Sequence, residues 1–411
     1  MKKGLSISYI VIVLAFSAIY ILPSVRIYFD YTNLAIITLV FYAIFIYKKE
    51  NVKPIKNIVA NLFPYMLLMF LVARNWDFKM GFLHPLLTSW CMLFPGVLCH
   101  NIIKRDNKIE LYTIALFSLS LLLYVMNNTI GAFSESTDIM RELTASTMED
   151  SLRLKYVMAN IGGYGIAYGC GAVVVMLFTI LVKYKFNIKY TFLLYAIIGY
   201  FSYFVLNAQF TTLLLLTIFC TILSIYYSDY GQKHKIRLFV IGFMLIILAP
   251  LCMQLLAQLY NGTTIGDKLV RMNLAISGGN VSEASGERSL NQIKALKLFL
   301  ESPLWGNDIL NNFTNVNIYH ESHSTFLGVA CSTGIIGLIS YYSTYWSVIK
   351  PLFQEYSGKN KNYIAIVLYF FLFSILNPSE STEACWIIFM IVPLVYFISD
   401  KKINIRIKKN V

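Results

Sequence analysis

Apolar residues in this chain come in long runs, not in the alternating or one-faced patterns of soluble strands and helices. A bilayer core takes about 20 helical residues, fewer where the ends are anchored. Twelve runs qualify, at about 5–22, 31–47, 57–73, 84–103, 111–126, 161–182, 190–206, 211–227, 238–258, 323–349, 363–377 and 384–399. They predict an all-α polytopic membrane protein with about 12 transmembrane helices, a single integral membrane domain over residues 1–411. The pair 190–206 and 211–227 is the weakest, since it also reads as one span broken at Asn207-Ala208-Gln209. Met1-Lys2-Lys3 before the first run resembles a signal peptide, but that run is long enough to span and no small-x-small cleavage site follows. No internal repeat is visible between the halves.

Most connections are short. Two are long and polar, 127–160 and 259–322, and both carry helical signals. Ser146-Thr147-Met148-Glu149 reads as a capping box that opens an amphipathic stretch with Leu152 and Tyr156. Ser289-Leu290-Asn291-Gln292 reads as another. After it Leu290, Ile293, Leu296 and Leu300 recur at helical spacing, with Lys294 and Lys297 off that face. Ser302-Pro303 predicts the end of this helix, because the residue before proline avoids the helical region. The helix is expected along the membrane surface or over a cavity, apolar face inward. Gly165-x-x-x-Gly169, Gly328-x-x-x-Ser332 and Thr333-x-x-x-Gly337 place small residues where helix backbones approach closely.

Composition agrees with the pattern. The chain is 57% hydrophobic and 13% charged, with mean hydropathy +0.63; soluble domains carry roughly 25% charged residues. A net charge of +13 in a soluble protein would suggest nucleic acid, but here the distribution assigns it to the positive-inside rule. With the N-terminus in the cytoplasm, 23 of the 34 Lys and Arg fall on cytoplasmic segments and none inside a span. Acidic residues divide the other way, 6 inside and 15 outside. Both termini are therefore expected in the cytoplasm, the two long loops outside, and no nucleic-acid partner. The seven cysteines lie within apolar runs, away from metal or disulfide spacing.

No phosphate loop and no GxSxG elbow occurs. His320-Glu321-Ser322-His323 places its histidines three apart, whereas HExxH requires four, so no metal site is expected. What remains is a set of outside polar residues: Arg141, Arg153 and Lys155 in the first long loop, and Lys268, Arg271, Arg288, His320 and His323 in the second. Guanidinium forks bind diphosphate oxygens bidentately, and a histidine can take a proton from a hydroxyl. These types suit transfer of a group from a diphosphate carrier at the outer membrane boundary. For any one arginine the simpler reading is a headgroup contact or an ion pair with Glu142, Glu149 or Glu287. His323 stands apart, since it lies where a helix is expected to enter the membrane.

His323-Ser324-Thr325-Phe326-Leu327, followed by Gly334-Ile335-Ile336-Gly337, resembles the signature of the O-antigen polymerase and O-antigen ligase superfamily. There a histidine and a small polar residue precede an apolar stretch ending in Gly-x-x-Gly. Ser285-Gly286-Glu287-Arg288, then a helix, then Ser302-Pro303-Leu304-Trp305-Gly306 resemble the family's approach to that histidine, as does the run from Arg153 to Gly165. The layout matches over nearly the whole chain, the specific motifs only over roughly 285–342.

The resemblance implies a GT-C-like, metal-independent, inverting glycosyltransferase without a cofactor, in a bacterial inner (plasma) membrane with its site on the periplasmic face. Its donor would be a glycan on undecaprenyl diphosphate. The acceptor would be a sugar hydroxyl on a second lipid-linked repeat unit (a polymerase of O-antigen or capsule) or on lipid A-core (a ligase). Arg288 would hold the diphosphate and His323 would activate the acceptor hydroxyl. Arg271, Arg153 or Arg141 would add a second phosphate contact, with His320 and Ser324 as further substrate-binding candidates. Membrane lipids, a chain-length regulator and a flippase are the implied partners. The chain departs from the pattern twice. The turn Asn207-Ala208-Gln209-Phe210 lacks the arginine many relatives carry, and Gly306-Asn307-Asp308 replaces Gly-x-Gly. The rival expectation, a flippase or other transporter, calls for charge near the bilayer midplane. A polymerase is preferred to a ligase because nothing in the sequence points to lipid A-core.

Overall fold

The computed structural model describes residues 3–47, 52–72, 83–136, 139–143, 148–184, 186–228, 233–234, 251, 254–259, 261–262, 266–267, 269–270, 273, 281–307, 324–357, 363–378 and 381–399, with backbone alone for 3–6, 52–54, 141, 281–290 and 353–357. It is all-helical, with no strand among the described residues. The helices are α1 (Lys3–Ile21), α2 (Pro23–Arg26), α3 (Tyr31–Phe41), α4 (Val52–Val72), α5 (His84–Arg105), α6 (Lys108–Ala132), α7 (Ile139–Glu142), α8 (Asp150–Met158), α9 (Tyr164–Lys183), α10 (Ile188–Asn207), α11 (Thr211–Tyr226), α12 (Val281–Glu301), α13 (Thr325–Ser357), α14 (Ile364–Leu376) and α15 (Thr382–Ser399). Six are long and apolar enough to cross a membrane: α5, α6, α9, α10, α13 and α15. Ile7–Ile21, Tyr31–Ile46, Ile55–Leu71, Thr211–Tyr226 and Ile364–Leu376 are shorter apolar helices. The expected run 238–258 lies largely outside the described residues. The weakest expected pair resolves into two helices, α10 and α11, separated by Gln209 in the left-handed region.

Packing uses small residues and shared hydroxyls, as it must where lipid supplies no hydrophobic drive between helices. Gly165 and Gly169 let α9 lie against Ser381 and Ile387 of the last helix. Ser17 meets Ser118 at 3.0 Å, and Thr179 meets Ser224 at 2.7 Å, each pair buried between helices. Pro64 interrupts α4, and the Ser340 hydroxyl occupies the gap: it accepts from the Tyr65 N–H (3.0 Å) and donates to the Asn61 carbonyl. That hydroxyl replaces the Tyr65-to-Asn61 helical bond and joins α13 to α4.

One end of the bundle is basic. There Arg105 bonds Glu110 at 2.8 Å and lies 4.0 Å over the Tyr9 ring, and Lys183 donates to Tyr396 at 2.9 Å. The opposite end carries Ser24, Arg26, Asn160, Ser324, Asn377 and Thr382.

The expected straight span 323–349 is instead two arms. Gly334 has φ 65 and ψ −166, outside helical geometry. In a straight helix Phe326 and Tyr342 would be about 24 Å apart along the axis; their rings are 6.0 Å apart. Ser324 bonds the Ile375 carbonyl, while Tyr342 bonds Ser374 one residue away. Chain 325–333 therefore runs one way and chain 335–357 folds back beside it. Glycine at 334 is what permits the positive φ, and the Thr333 side chain fills the space over Gly337. Gly334-x-x-Gly337 is thus a hairpin turn, and Thr333-x-x-x-Gly337, expected as a packing stripe within one straight helix, spans that turn.

Both expected capping boxes also shift. α8 starts at Asp150 with Glu149 as N-cap and no side-chain cap bond, and Ser289 lies inside α12. The first box has hydroxyls at 146 and 147, outside the described residues. The predicted stop at Ser302-Pro303 coincides with the end of α12 at Glu301.

Candidate functional site

α12 packs against α13, and its continuation plugs the bend. The Pro303 carbonyl accepts the Ile335 N–H at 2.8 Å, which satisfies a first-turn donor of the second arm. Gly306 has φ 82. A Cβ on Gly306 would stand 2.5 Å from the Thr333 nitrogen, and one on Gly334 2.6 Å from the Trp305 nitrogen. The turn 302–306 and the bend 332–335 thus meet backbone to backbone. Asn307, 2% exposed, donates to Glu301 at 2.6 Å and to the Leu298 carbonyl at 3.4 Å, closing the end of α12. The turn after α12 is therefore closed by an asparagine cap.

Ser324 N-caps the first arm. Its hydroxyl accepts from the Leu327 N–H (3.1 Å) and donates to the Ile375 carbonyl (2.5 Å), and it is 2% exposed. The Thr325 N–H reaches the Asn377 carbonyl at 3.3 Å. Ser324 is committed to holding the backbone beside position 323.

Of the other candidates, His323, His320 and Arg271 lie outside the described residues. Arg288 lies on α12 and Arg141 on α7, both described by backbone alone. Arg153 is exposed on α8, which packs against α2. That loop is tied down locally. Asn128 donates to the Ala159 carbonyl (2.9 Å), the Gly162 N–H to Thr129 (2.8 Å), and Tyr156 to Glu135 (3.3 Å). Burial and the Glu135 carboxylate push the Tyr156 phenol above its usual range. Asn207–Phe210 presents no charge. It sends Phe210 onto Tyr164 at 5.6 Å, beside Tyr168 and Phe373.

The apolar face of α12 does not point inward as expected. Ile293, Leu296 and Leu300 are 49%, 44% and 63% exposed, while Ala295 is fully buried. Small Ala295 lets the helix approach its neighbour and leaves the large side chains outward. Leu304, Trp305 and Ile339 are exposed apolar side chains as well. An outward apolar stripe flanked by Lys294 and Lys297 is the form of an interfacial helix.

Sequence reasoning passed over a polar cluster at the same bundle end as Ser324. Arg26 donates through Nε to the Thr382 hydroxyl at 3.0 Å and lies 5.1 Å from the Tyr31 ring centre. Glu383 accepts from Ser381 at 2.7 Å and from Thr382 at 3.3 Å. Asn160, in the left-handed region and 8% exposed, accepts from the Ser24 hydroxyl at 2.7 Å and its N–H at 3.1 Å. Asn377, which receives Thr325, and Thr382, which receives Arg26, are only five positions apart. The signal was present as the polar run Asn377 to Glu383, short enough to read as an ordinary turn. Among the described residues no three His, Cys, Asp or Glu side chains gather as a metal site. What the cluster offers chemically is a cation, a carboxylate and hydroxyls at the end of an apolar bundle, a setting for phosphate and sugar groups. No protein-family model matches the chain, and no curated protein sequence matches it.

Proposed function

We propose that this protein is a polytopic membrane glycosyltransferase of GT-C-like architecture with about twelve spans, a repeat-unit polymerase of O-antigen or capsular polysaccharide. The observation that carries this reading is the backbone lock between Ser302–Gly306 and Ser332–Gly334. Two stretches read from the sequence as parts of one signature are 26 or more residues apart in the chain and touch in space. The lock ties the helix bearing Arg288 to the arm that begins at Ser324, next to His323.

In this reading the lipid-linked glycan enters from the outer leaflet of a bacterial inner membrane, with both termini cytoplasmic. The acceptor sugar hydroxyl attacks the anomeric carbon of the donor as the bond to the diphosphate oxygen breaks. His323 takes the hydroxyl proton. Arg288 neutralises the departing undecaprenyl diphosphate, with Arg271, Arg153 or Arg141 as a second contact. Ser324 acts as a positioning residue, since its hydroxyl is spent on the cap. The exposed face of α12 supports the reading because a lipid-linked substrate needs its binding element at the membrane boundary.

Deletion of the gene followed by polysaccharide gel electrophoresis tests it. Single repeat units on lipid A-core, with longer chains lost, are expected for a polymerase. Accumulated lipid-linked polymer would identify a ligase, and unchanged chain lengths would remove both assignments.

A further inference from the structure

Arg26 is half-buried at the end of the bundle that carries Ser324. Its Nε is fixed on Thr382 and its plane lies by Tyr31. The two terminal nitrogens have no protein acceptor among the described residues. Glu383, one residue from Thr382, takes its hydrogen bonds from the Ser381 and Thr382 hydroxyls and forms no ion pair with Arg26. The contrast with Arg105 at the other end is direct, since that guanidinium bonds its carboxylate at 2.8 Å. A guanidinium oriented by its Nε, with its fork left open by the described residues, presents two parallel donors, the geometry that matches phosphate oxygens. The N–H groups of Thr382 and Glu383 open an 18-residue helix beside it, and the positive end of that helix adds to the field.

We propose that Arg26, oriented by Thr382 and Tyr31, binds the phosphate of a membrane-resident ligand, either a phospholipid headgroup or a polyprenyl diphosphate. This holds whether or not His323 transfers glycan, because it requires only a phosphate group at the membrane boundary.

The test uses the full chain in phosphatidylcholine nanodiscs, titrated separately with undecaprenyl diphosphate and with phosphatidylglycerol, bound lipid being read by native mass spectrometry. R26Q is expected to weaken binding about tenfold, the loss of one charge-assisted pair. R26K keeps the charge and loses the fork, and T382V keeps the fork and loses its tether. Each is expected to fall between R26Q and wild type. Weakening toward undecaprenyl diphosphate alone assigns the site to the diphosphate; weakening toward both lipids assigns it to phosphate headgroups generally. If R26Q does not fold, R26K and T382V decide. Wild-type affinity for both lipids in every folded variant would overturn the proposal. A polysaccharide gel on R26Q reports separately on glycan transfer, so failure of one idea is not failure of the other.

Discussion

Gly306 and Gly334 interlock. Both have positive φ, and each leaves only enough room for the other's backbone segment. Alanine at either position adds left-handed strain and a backbone clash at once. G334A and G306A are each expected to destabilise the protein by about 2 kcal/mol or more. G131A and G199A, whose Cβ would meet nothing within 4 Å, are expected to stay within about 0.5 kcal/mol of wild type. Thermal unfolding in detergent ranks the four; equal melting of all would mean the lock contributes nothing.

His323→Ala is expected to abolish long polysaccharide while the protein still inserts at normal levels, because loss of the proposed base leaves the apolar runs that form the helices unchanged. Membrane-fraction immunoblots and gel ladders are read together. A normal ladder would end the catalytic role of His323.

Arg288→Lys keeps one positive charge and loses the two-pronged geometry. A fall of about tenfold or more in polymer formation is expected if the residue grips a diphosphate. An undiminished ladder would assign Arg288 to a surface ion pair.

Chelator treatment of the purified protein is expected to leave turnover unchanged, since the proposed mechanism neutralises the leaving group with arginine. Activity lost to chelator and restored by one particular metal would contradict it.

Spin labels on α12 test its immersion. A label at L300C is expected to meet oxygen more often than a soluble nickel chelate, and one at K294C the reverse, because the apolar stripe faces lipid and the lysines face water. The same preference at both positions would mean the helix stands clear of the membrane.

The all-helical character, with helices long and apolar enough to cross a membrane, was legible from run length and hydropathy, since neither depends on tertiary contacts. Helix ends set by proline were legible too, as at Ser302-Pro303. The reversal at Gly334 was not. The stretch 323–349 reads as one apolar run, and nothing in apolarity separates a straight span from a folded one. Gly334 was visible only as part of a motif, because its φ, which gives it its role, has no sequence signature distinct from that of Gly169. The outward face of α12 was missed for a related reason. Apolar spacing locates a stripe but does not say whether protein or lipid covers it. Ser324 was expected to bind substrate; its commitment to the helix cap and to Ile375 was not legible, since the latter depends on a partner 51 residues away. Arg26 was passed over because it and Thr382 are 356 positions apart.

The reversal also changes how depth runs along the chain. Ser324 lies level with Tyr342, and the bend between them is about 12 Å along the second arm from Tyr342. A probe approaching from that end would meet the turn 302–306 first, because that turn covers the bend and leaves Ser332 and Thr333 buried. Position along the bundle axis, followed from 324 to 342, rises and then falls, where a single straight crossing would change steadily in one direction.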